Sequence, residues 1–472
     1  MNNIILNTDS YKVSHFQQYP PGTERVFSYI ESRGHDENRL DSTVFFGLQA
    51  FVEEYLSKPI TQEMIDEAAD IYQLHGIGFN REGWEYILQE HNGYLPVRIQ
   101  AVPEGTRVPL HNVLATIVNT DSQVPWLTSY LETAILRAIW YPTTVATVSN
   151  SIKRVLLEYW NKTSFEPVES LDFKLHDFGS RGVSSLESSA LGGMAHLINF
   201  QGTDNVVALA AARKYYACDM AGFSIPAAEH STITSWGRDG EEAAYRNMLK
   251  QFGREGTMLA VVSDSYDLDN ACLNLWGGTL KTEVMELGAT VVIRPDSGDP
   301  ATVVSRTILN LMEKFGFEVN PKGYKTLPAC IRVIQGDGIN EHSIRKILEV
   351  MDWNKLSIDN IAFGMGGALL QHMNRDTFKF AMKCSAIQVN GEWRDVYKDP
   401  KTDPGKASKK GILDLIRPDG VWTTVRRAGL EGWTDYTSQL KTVFLDGIIE
   451  RVSLFGAIRK RVREDLVSPV NQ

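Results

Sequence analysis

Four cysteines in 472 residues, at Cys218, Cys272, Cys330 and Cys384, are too few and too scattered for a disulfide framework. No C-x-x-C pair occurs, so a structural zinc site is not expected either. Positive charge is also short: 48 lysines and arginines stand against 58 acidic residues, a net charge of −10. That excludes a broadly nucleic-acid-binding surface, while leaving room for one basic pocket. No apolar run approaches the roughly 20 residues of a membrane span; the stretch 361–370 is interrupted by Gly364, Gly366 and Gly367. The start, Met1 to Asp9, lacks the basic segment and long apolar core of a secretory signal, so a cytoplasmic chain is expected. A Walker A loop is missing, because Gly405-Lys406-Ala407-Ser408 has no upstream glycine at the required spacing. H-E-x-x-H and G-x-S-x-G are missing too, which removes zinc-helix and nucleophile-elbow chemistry. Repeats and low-complexity tracts do not occur.

What is there is an ordinary globular composition, 43% hydrophobic and 22% charged, in a length suited to two or three domains. The middle of the chain alternates apolar runs of strand length, at 173–178, 223–228, 258–263, 290–294, 331–335 and 360–363, with helical patterns. Asp299-Pro300 caps and opens one helix, whose face is Val304, Ile308, Leu311, Met312 and Phe315 and whose stop is Gly316. Ile344, Ile347, Leu348 and Met351 mark another after Asn340. Strand ends recur at roughly 30-residue intervals, close to the repeat of a (β/α)₈ barrel of about 250 residues. The fold class expected is therefore α/β, an irregular (β/α) barrel over 150–383 plus a second α+β domain. That domain would be built from an N-terminal segment, 1–149, and a C-terminal one, 384–472. In the latter, Asn390-Gly391, Asp419-Gly420 and Asp446-Gly447 each sit between β-prone runs and predict hairpins.

Each central strand is followed by chemistry: His176-Asp177-Phe178-Gly179-Ser180-Arg181, Ala228-Glu229-His230-Ser231-Thr232, Ser263-Asp264-Ser265, Arg294-Pro295-Asp296-Ser297-Gly298, Gln335-Gly336-Asp337-Gly338 and Gly364-Met365-Gly366-Gly367. Any one such group is explained as a helix cap. Six in sequence point to a shared site, because carboxyl ends of parallel strands converge on one face. Arg181, Arg294 and Arg375 offer forks for phosphate. Gly366 and Gly367 let backbone N–H groups approach an anion, and Asp264, Asp296 and Asp337 suit Mg²⁺ or sugar hydroxyls. Together they suggest a ribose phosphate carrying pyrophosphate.

Asp9-Ser10-Tyr11-Lys12, His176-Asp177-Phe178-Gly179, Pro226-Ala227-Ala228-Glu229-His230-Ser231-Thr232, Ser263-Asp264-Ser265-Tyr266-Asp267, Ile293-Arg294-Pro295-Asp296-Ser297-Gly298 and Ile334-Gln335-Gly336-Asp337-Gly338 resemble, in order and spacing, the signature segments of the nicotinamide phosphoribosyltransferase family. The resemblance implies a type II phosphoribosyltransferase fold in a homodimer with shared active sites. It implies transfer of phosphoribosyl from phosphoribosyl pyrophosphate to nicotinamide in NAD salvage, with Mg²⁺ and with ATP hydrolysis through a phosphohistidine. Catalytic roles fall on His230, Arg294 and Asp296. Phe178 and Tyr11 of the partner subunit would sandwich the nicotinamide ring, and Asp204 would accept from its carboxamide. Arg181, Arg33, Gly336, Asp337, Gly366, Gly367, Arg375, Lys398 and Lys406 would handle the phosphates and ribose. Asp264 and Asp296 would position Mg²⁺ through water. Glu229 is the candidate for orienting His230. The family's tyrosines are replaced by Ser180 and Phe223, a serine by Ala381 and a glycine by Ala368.

Other readings of these residues stay open. Asp204 equally suits the cap of a helix over 205–216, Phe178 suits core packing, and Lys398, Lys401, Lys406, Lys409 and Lys410 suit a solvated face. The alternatives for the whole are a nicotinate phosphoribosyltransferase, which a carboxylate at Asp204 opposes, and a non-catalytic binding protein retaining the fold.

Overall fold

The computed structural model describes residues 3–35, 37, 39–402, 407–428 and 437–467. The chain forms two compact units, one of 148–211 and 219–372, the other of 1–147, 212–218 and 373–472.

In the first unit six parallel strands form one sheet: β1 (Leu175–Asp177), β2 (Gly202–Thr203), β3 (Met258–Val262), β4 (Thr290–Arg294), β5 (Ile331–Gln335) and β6 (Ile361–Met365). Their order is β2-β1-β6-β5-β4-β3. The segment 223–228 joins the two edges. Phe223 bridges Gly202 of β2, and Ala227 bridges Ala260 of β3, both in parallel. Pro226 inside it has no N–H to give, so the segment makes isolated bridges where a regular strand would make a ladder. The result is an irregular parallel barrel, α/β as expected. Its interior is small: Ala260, Val292 and Ile334 with Phe178, Ile225 and Ala362 against them.

The helices around it follow their sequence signals. Asp299 accepts from the Thr302 amide at 3.0 Å, Pro300 occupies the first turn and Pro300–Phe315 ends at Gly316. Asn340 and Ser343 form a reciprocal capping box before Glu341–Trp353. Ile344, Ile347, Leu348 and Met351 of that helix are buried, which contributes on the order of 6–12 kcal/mol of gross stabilisation before entropy is subtracted.

Two parts of the pattern differ from expectation. The apolar run 173–178 is not one strand: Val168–Phe173 is a 3₁₀ turn, and only Leu175–Asp177 is extended. Asp172 is buried beside Lys153 at 2.6 Å, which ties that turn down. Strand β2 has two residues, too few to show as an apolar run.

The second unit carries a seven-stranded antiparallel-paired sheet in the order Glu392–Asp395, Ala381–Val389, Thr23–Glu31, Val113–Asn119, Val97–Ala101, Lys441–Leu445, Ile448–Ile449. Strands from both ends of the chain thus share one sheet. The three hairpin signals each carry positive φ at both residues, with Asn390 at 50°, Asp419 at 49° and Asp446 at 49°. That is the geometry Asn-Gly and Asp-Gly tolerate. No helix among the described residues is long and apolar enough to cross a membrane.

Candidate active site

The carboxyl ends of the barrel strands bring the expected loops into one network. His230 opens a short helix, His230–Thr234, and its Nε2 lies 3.0 Å from Asp264 Oδ1, just beyond β3. The other oxygen of Asp264 accepts from the Asp296 amide at 3.0 Å and from the Ser297 hydroxyl at 2.6 Å. Burial raises the cost of ionising Asp264, yet the bonds from Ser297, His230 and the Asp296 amide outweigh it and hold the carboxyl below its usual range. Asp296 follows β4, with Oδ2 3.9 Å from His230 Nδ1 and Oδ1 3.8 Å from Arg294 Nε. Arg294 Nε is buried and has no hydrogen-bond partner among the described residues, which suits an incoming anion.

Glu229 does not orient His230. Its side chain accepts from Ser231 and caps the helix in a box with Thr232; the sequence neighbour is a cap, and Asp264, 34 residues on, faces the imidazole. A carboxylate facing Nε2 calls for a proton on that nitrogen, which leaves the lone pair on Nδ1.

Phe178 and Gly336 link this group to the rest of the mouth. The Phe178 amide donates to Met365 O at 3.0 Å, and its ring lies across Gly364, where an added Cβ would fall 2.0 Å from Cε2. A Cβ on Gly336 would stand 3.4 Å from the same ring and 3.8 Å from Asp296 Oδ1. Gly179 packs on Gly366 and Leu370, and Gly182 on Gly367, so the loops after β1 and β6 meet backbone to backbone. Arg181 is exposed on the first of these loops, and Asp337 is exposed after β5.

Asp177 ends β1 and is fully buried. Its carboxylate accepts from the Gly179 amide at 2.7 Å and from Asn205 Nδ2 at 3.0 Å, and its carbonyl accepts from the Asp204 amide at 3.0 Å. Burial pushes its carboxyl up to about 6 despite those bonds. Asn205, not Asp204, caps the following helix: its Oδ1 accepts from the Ala208 amide at 3.3 Å. The Asp204 side chain is exposed and accepts from the Ser224 hydroxyl at 2.5 Å. Asp177, Asn205, Ser224 and Ser297 were not singled out by sequence, since a short polar residue beside a strand end looks the same whether it supports a site or caps a turn. Ser180 bonds Ser189 at 2.7 Å, and Phe223 packs near Phe173 with ring centroids 6.3 Å apart.

The remaining expected residues belong to the other unit. There Arg33 donates to Lys379 O at 3.3 Å, Arg375 pairs with Asp376 at 2.9 Å, and Tyr11 is 59% exposed beside His15. Lys383 lies close enough to Arg33 and Lys398 that, after burial, their charges lower its pKa. It is a further cation that sequence reasoning passed over. Lys406 lies outside the described residues. Among the described residues no cluster of three or more His, Cys, Asp or Glu is arranged to hold a metal ion. Asp264 has both oxygens taken by protein donors, so the pair Asp264 and Asp296 fits an ion reached through its waters rather than one held directly.

An irregular parallel barrel with carboxylates, arginine and glycine loops gathered at its carboxyl end defines an enzyme of the phosphoribosyltransferase class. The model of the nicotinate phosphoribosyltransferase (NAPRTase) family matches residues 173–448, and that of the nicotinamide phosphoribosyltransferase N-terminal domain matches residues 3–99. A nicotinamide phosphoribosyltransferase of Xanthomonas campestris is 57% identical over 417 residues, 88% of each chain. One of Acinetobacter baylyi is 33% identical over 99% of this chain and 98% of its own. Among solved structures, a nicotinate-nucleotide pyrophosphorylase of Pyrococcus furiosus aligns with a TM-score of 0.61 at 16% identity, over 98% of this chain and 95% of that one. Human nicotinic acid phosphoribosyltransferase gives 0.58 at 15% identity, over 98% and 94%. The chain belongs to the NAPRTase family, among its nicotinamide phosphoribosyltransferase members.

Proposed function

We propose that the enzyme transfers phosphoribosyl from phosphoribosyl pyrophosphate to nicotinamide, giving nicotinamide mononucleotide and pyrophosphate for NAD salvage in the cytoplasm. The observation that carries the choice of base is Asp204: its carboxylate is released from capping by Asn205 and stands at the barrel mouth, held by Ser224. A carboxylate there accepts from a carboxamide NH₂ and repels the carboxylate of nicotinate.

The nicotinamide ring nitrogen attacks the anomeric carbon with its own lone pair. The new C–N bond forms as the C–O bond to pyrophosphate breaks, with that electron pair leaving on pyrophosphate. No proton is removed, so the site needs no general base. Phe178 stacks on the ring and fixes its angle of attack. Arg181 and Arg294 receive the negative charge of the leaving group, while Gly336, Asp337, Gly366 and Gly367 hold the ribose and its 5′-phosphate. Asp264 and Asp296 would hold Mg²⁺ through its waters, and the ion would supply charge neutralisation on the pyrophosphate.

ATP is the third substrate. His230 Nδ1 attacks the γ-phosphorus, the bond to the bridging β–γ oxygen breaks and ADP leaves; water later attacks the phosphorus on Nδ1, releasing phosphate and restoring the free imidazole. Asp264 holds the imidazole in position and stabilises the charge it gains. Lys398 and Lys406 suit the ATP phosphates. The active form is a homodimer in which Tyr11 and Arg33 of each chain complete the other's site.

The test is turnover of phosphoribosyl pyrophosphate and Mg²⁺ with nicotinamide or nicotinate, with and without ATP. Nicotinamide is expected to win by at least tenfold in kcat/KM, with ATP improving it. Equal or better use of nicotinate would overturn the reading of Asp204.

A further inference from the structure

We infer that Ser224 is a positioning residue for Asp204, and through it a determinant of selectivity for the neutral carboxamide over its carboxylate analogue. The inference rests on the role proposed for Asp204. The backbone fixes the two residues as neighbours: the Phe223 amide donates to Gln201 O at 2.7 Å, and the Thr203 amide donates to Phe223 O at 3.0 Å. Asp204 and Ser224 therefore leave adjacent barrel positions one residue beyond that pairing. From there the Ser224 hydroxyl reaches Asp204 Oδ1 at 2.5 Å, with Ile225 O as a poor second acceptor at 3.5 Å. A hydroxyl donating to a carboxylate at this length is a strong, charge-assisted bond.

Both side chains are exposed, so neither packing nor burial sets the torsion of the carboxylate; the hydroxyl does. With Oδ1 held, Oδ2 is the oxygen left to serve a carboxamide N–H as one fixed acceptor. Without the hydroxyl the carboxylate rotates and is solvated, and the ligand must bear the cost of ordering it. That cost falls on binding alone, since the attacking nitrogen and the leaving group lie elsewhere on the substrates.

The experiment is steady-state kinetics on the full chain with phosphoribosyl pyrophosphate, Mg²⁺ and ATP, for Ser224→Ala, Ser224→Thr, Asp204→Ala and the double variant S224A/D204A. Ser224→Ala is expected to raise KM for nicotinamide about tenfold, to keep kcat within about twofold, and to narrow the preference over nicotinate. Ser224→Thr restores the hydroxyl and is expected to return KM to near its original value. In the Asp204→Ala background, removing Ser224 is expected to change nothing, because a residue acting only through Asp204 has no second route. Unchanged KM in Ser224→Ala beside an impaired Asp204→Ala overturns the inference and leaves Asp204 in its role. Additive effects in the double variant, or a loss confined to kcat, also overturn it. Unchanged KM in Asp204→Ala overturns the reading of Asp204, and the inference with it.

Discussion

Single residues decide the chemistry here through what holds them. His230 is set by Asp264, whose other oxygen is held by Ser297 and the Asp296 amide, so the imidazole is oriented by a chain of bonds across two strand ends. His230→Ala is expected to abolish ATP hydrolysis while leaving weak phosphoribosyl transfer at high substrate; an unchanged ATPase would remove it from the relay. Gly364→Ala places a methyl within the Phe178 ring. The ring is half-buried and must swing away, so nicotinamide KM is expected to rise at least tenfold, with a stability loss of about 1–3 kcal/mol read from denaturant melts. The charged residues of the barrel loops, Arg181, His230, Asp264, Arg294, Asp296 and Asp337, stood out in the sequence because they follow apolar runs. Their holders were not. Glu229 looked like the partner of His230 because it is adjacent, yet Asp264 is the partner because β3 ends beside the closing segment. Asp204 suited a helix cap as well as a carboxamide acceptor, and the cap is Asn205.

Elements were legible where local chemistry dictates them. Asp299-Pro300, Asn340, and the Asn-Gly and Asp-Gly pairs all act within a few residues, and each appears where the sequence placed it. Elements set by distant contacts were not legible: β2 is two residues long and exists because β1 pairs with it, His176 against Gly202. One element carries a pH signature. Glu104 is wholly buried and accepts from the amides of Gly47 and Gln49 at the start of the helix Leu48–Phe51. Burial pushes its carboxyl up to about 7 against those bonds. The unfolded chain takes up this proton only near its ordinary value of 4.5. Between these values the folded state binds more protons, so this group's contribution makes stability fall as pH rises from 4.5 through 7. Glu104→Gln keeps an acceptor for both amides and cannot ionise. Melts of that variant are expected to lose part of the pH dependence across this window; an identical pH profile would contradict the placement of the shift on Glu104.

For the whole molecule, the main sheet of the second unit is woven from both ends of the chain, with Thr23–Glu31 between Val113–Asn119 and Ala381–Val389. Hairpin signals in the sequence revealed the C-terminal strands, but the long-range pairing that joins them to the N-terminal ones has no local signature. Sedimentation is expected to show a dimer as the active species, and a fully active monomer would exclude partner-supplied Tyr11 and Arg33. The barrel gathers residues from 178 to 367 at the carboxyl ends of its strands, and the function follows only if that mouth binds a single phosphorylated sugar. Calorimetric titration with phosphoribosyl pyrophosphate and Mg²⁺ measures this directly, on the unaltered chain and on Arg294→Ala and Asp296→Ala. One site per chain is expected, with binding at least tenfold weaker in Arg294→Ala, whose buried Nε has no hydrogen-bond partner among the described residues. Unweakened binding in both variants would contradict a common site at the carboxyl ends of the strands.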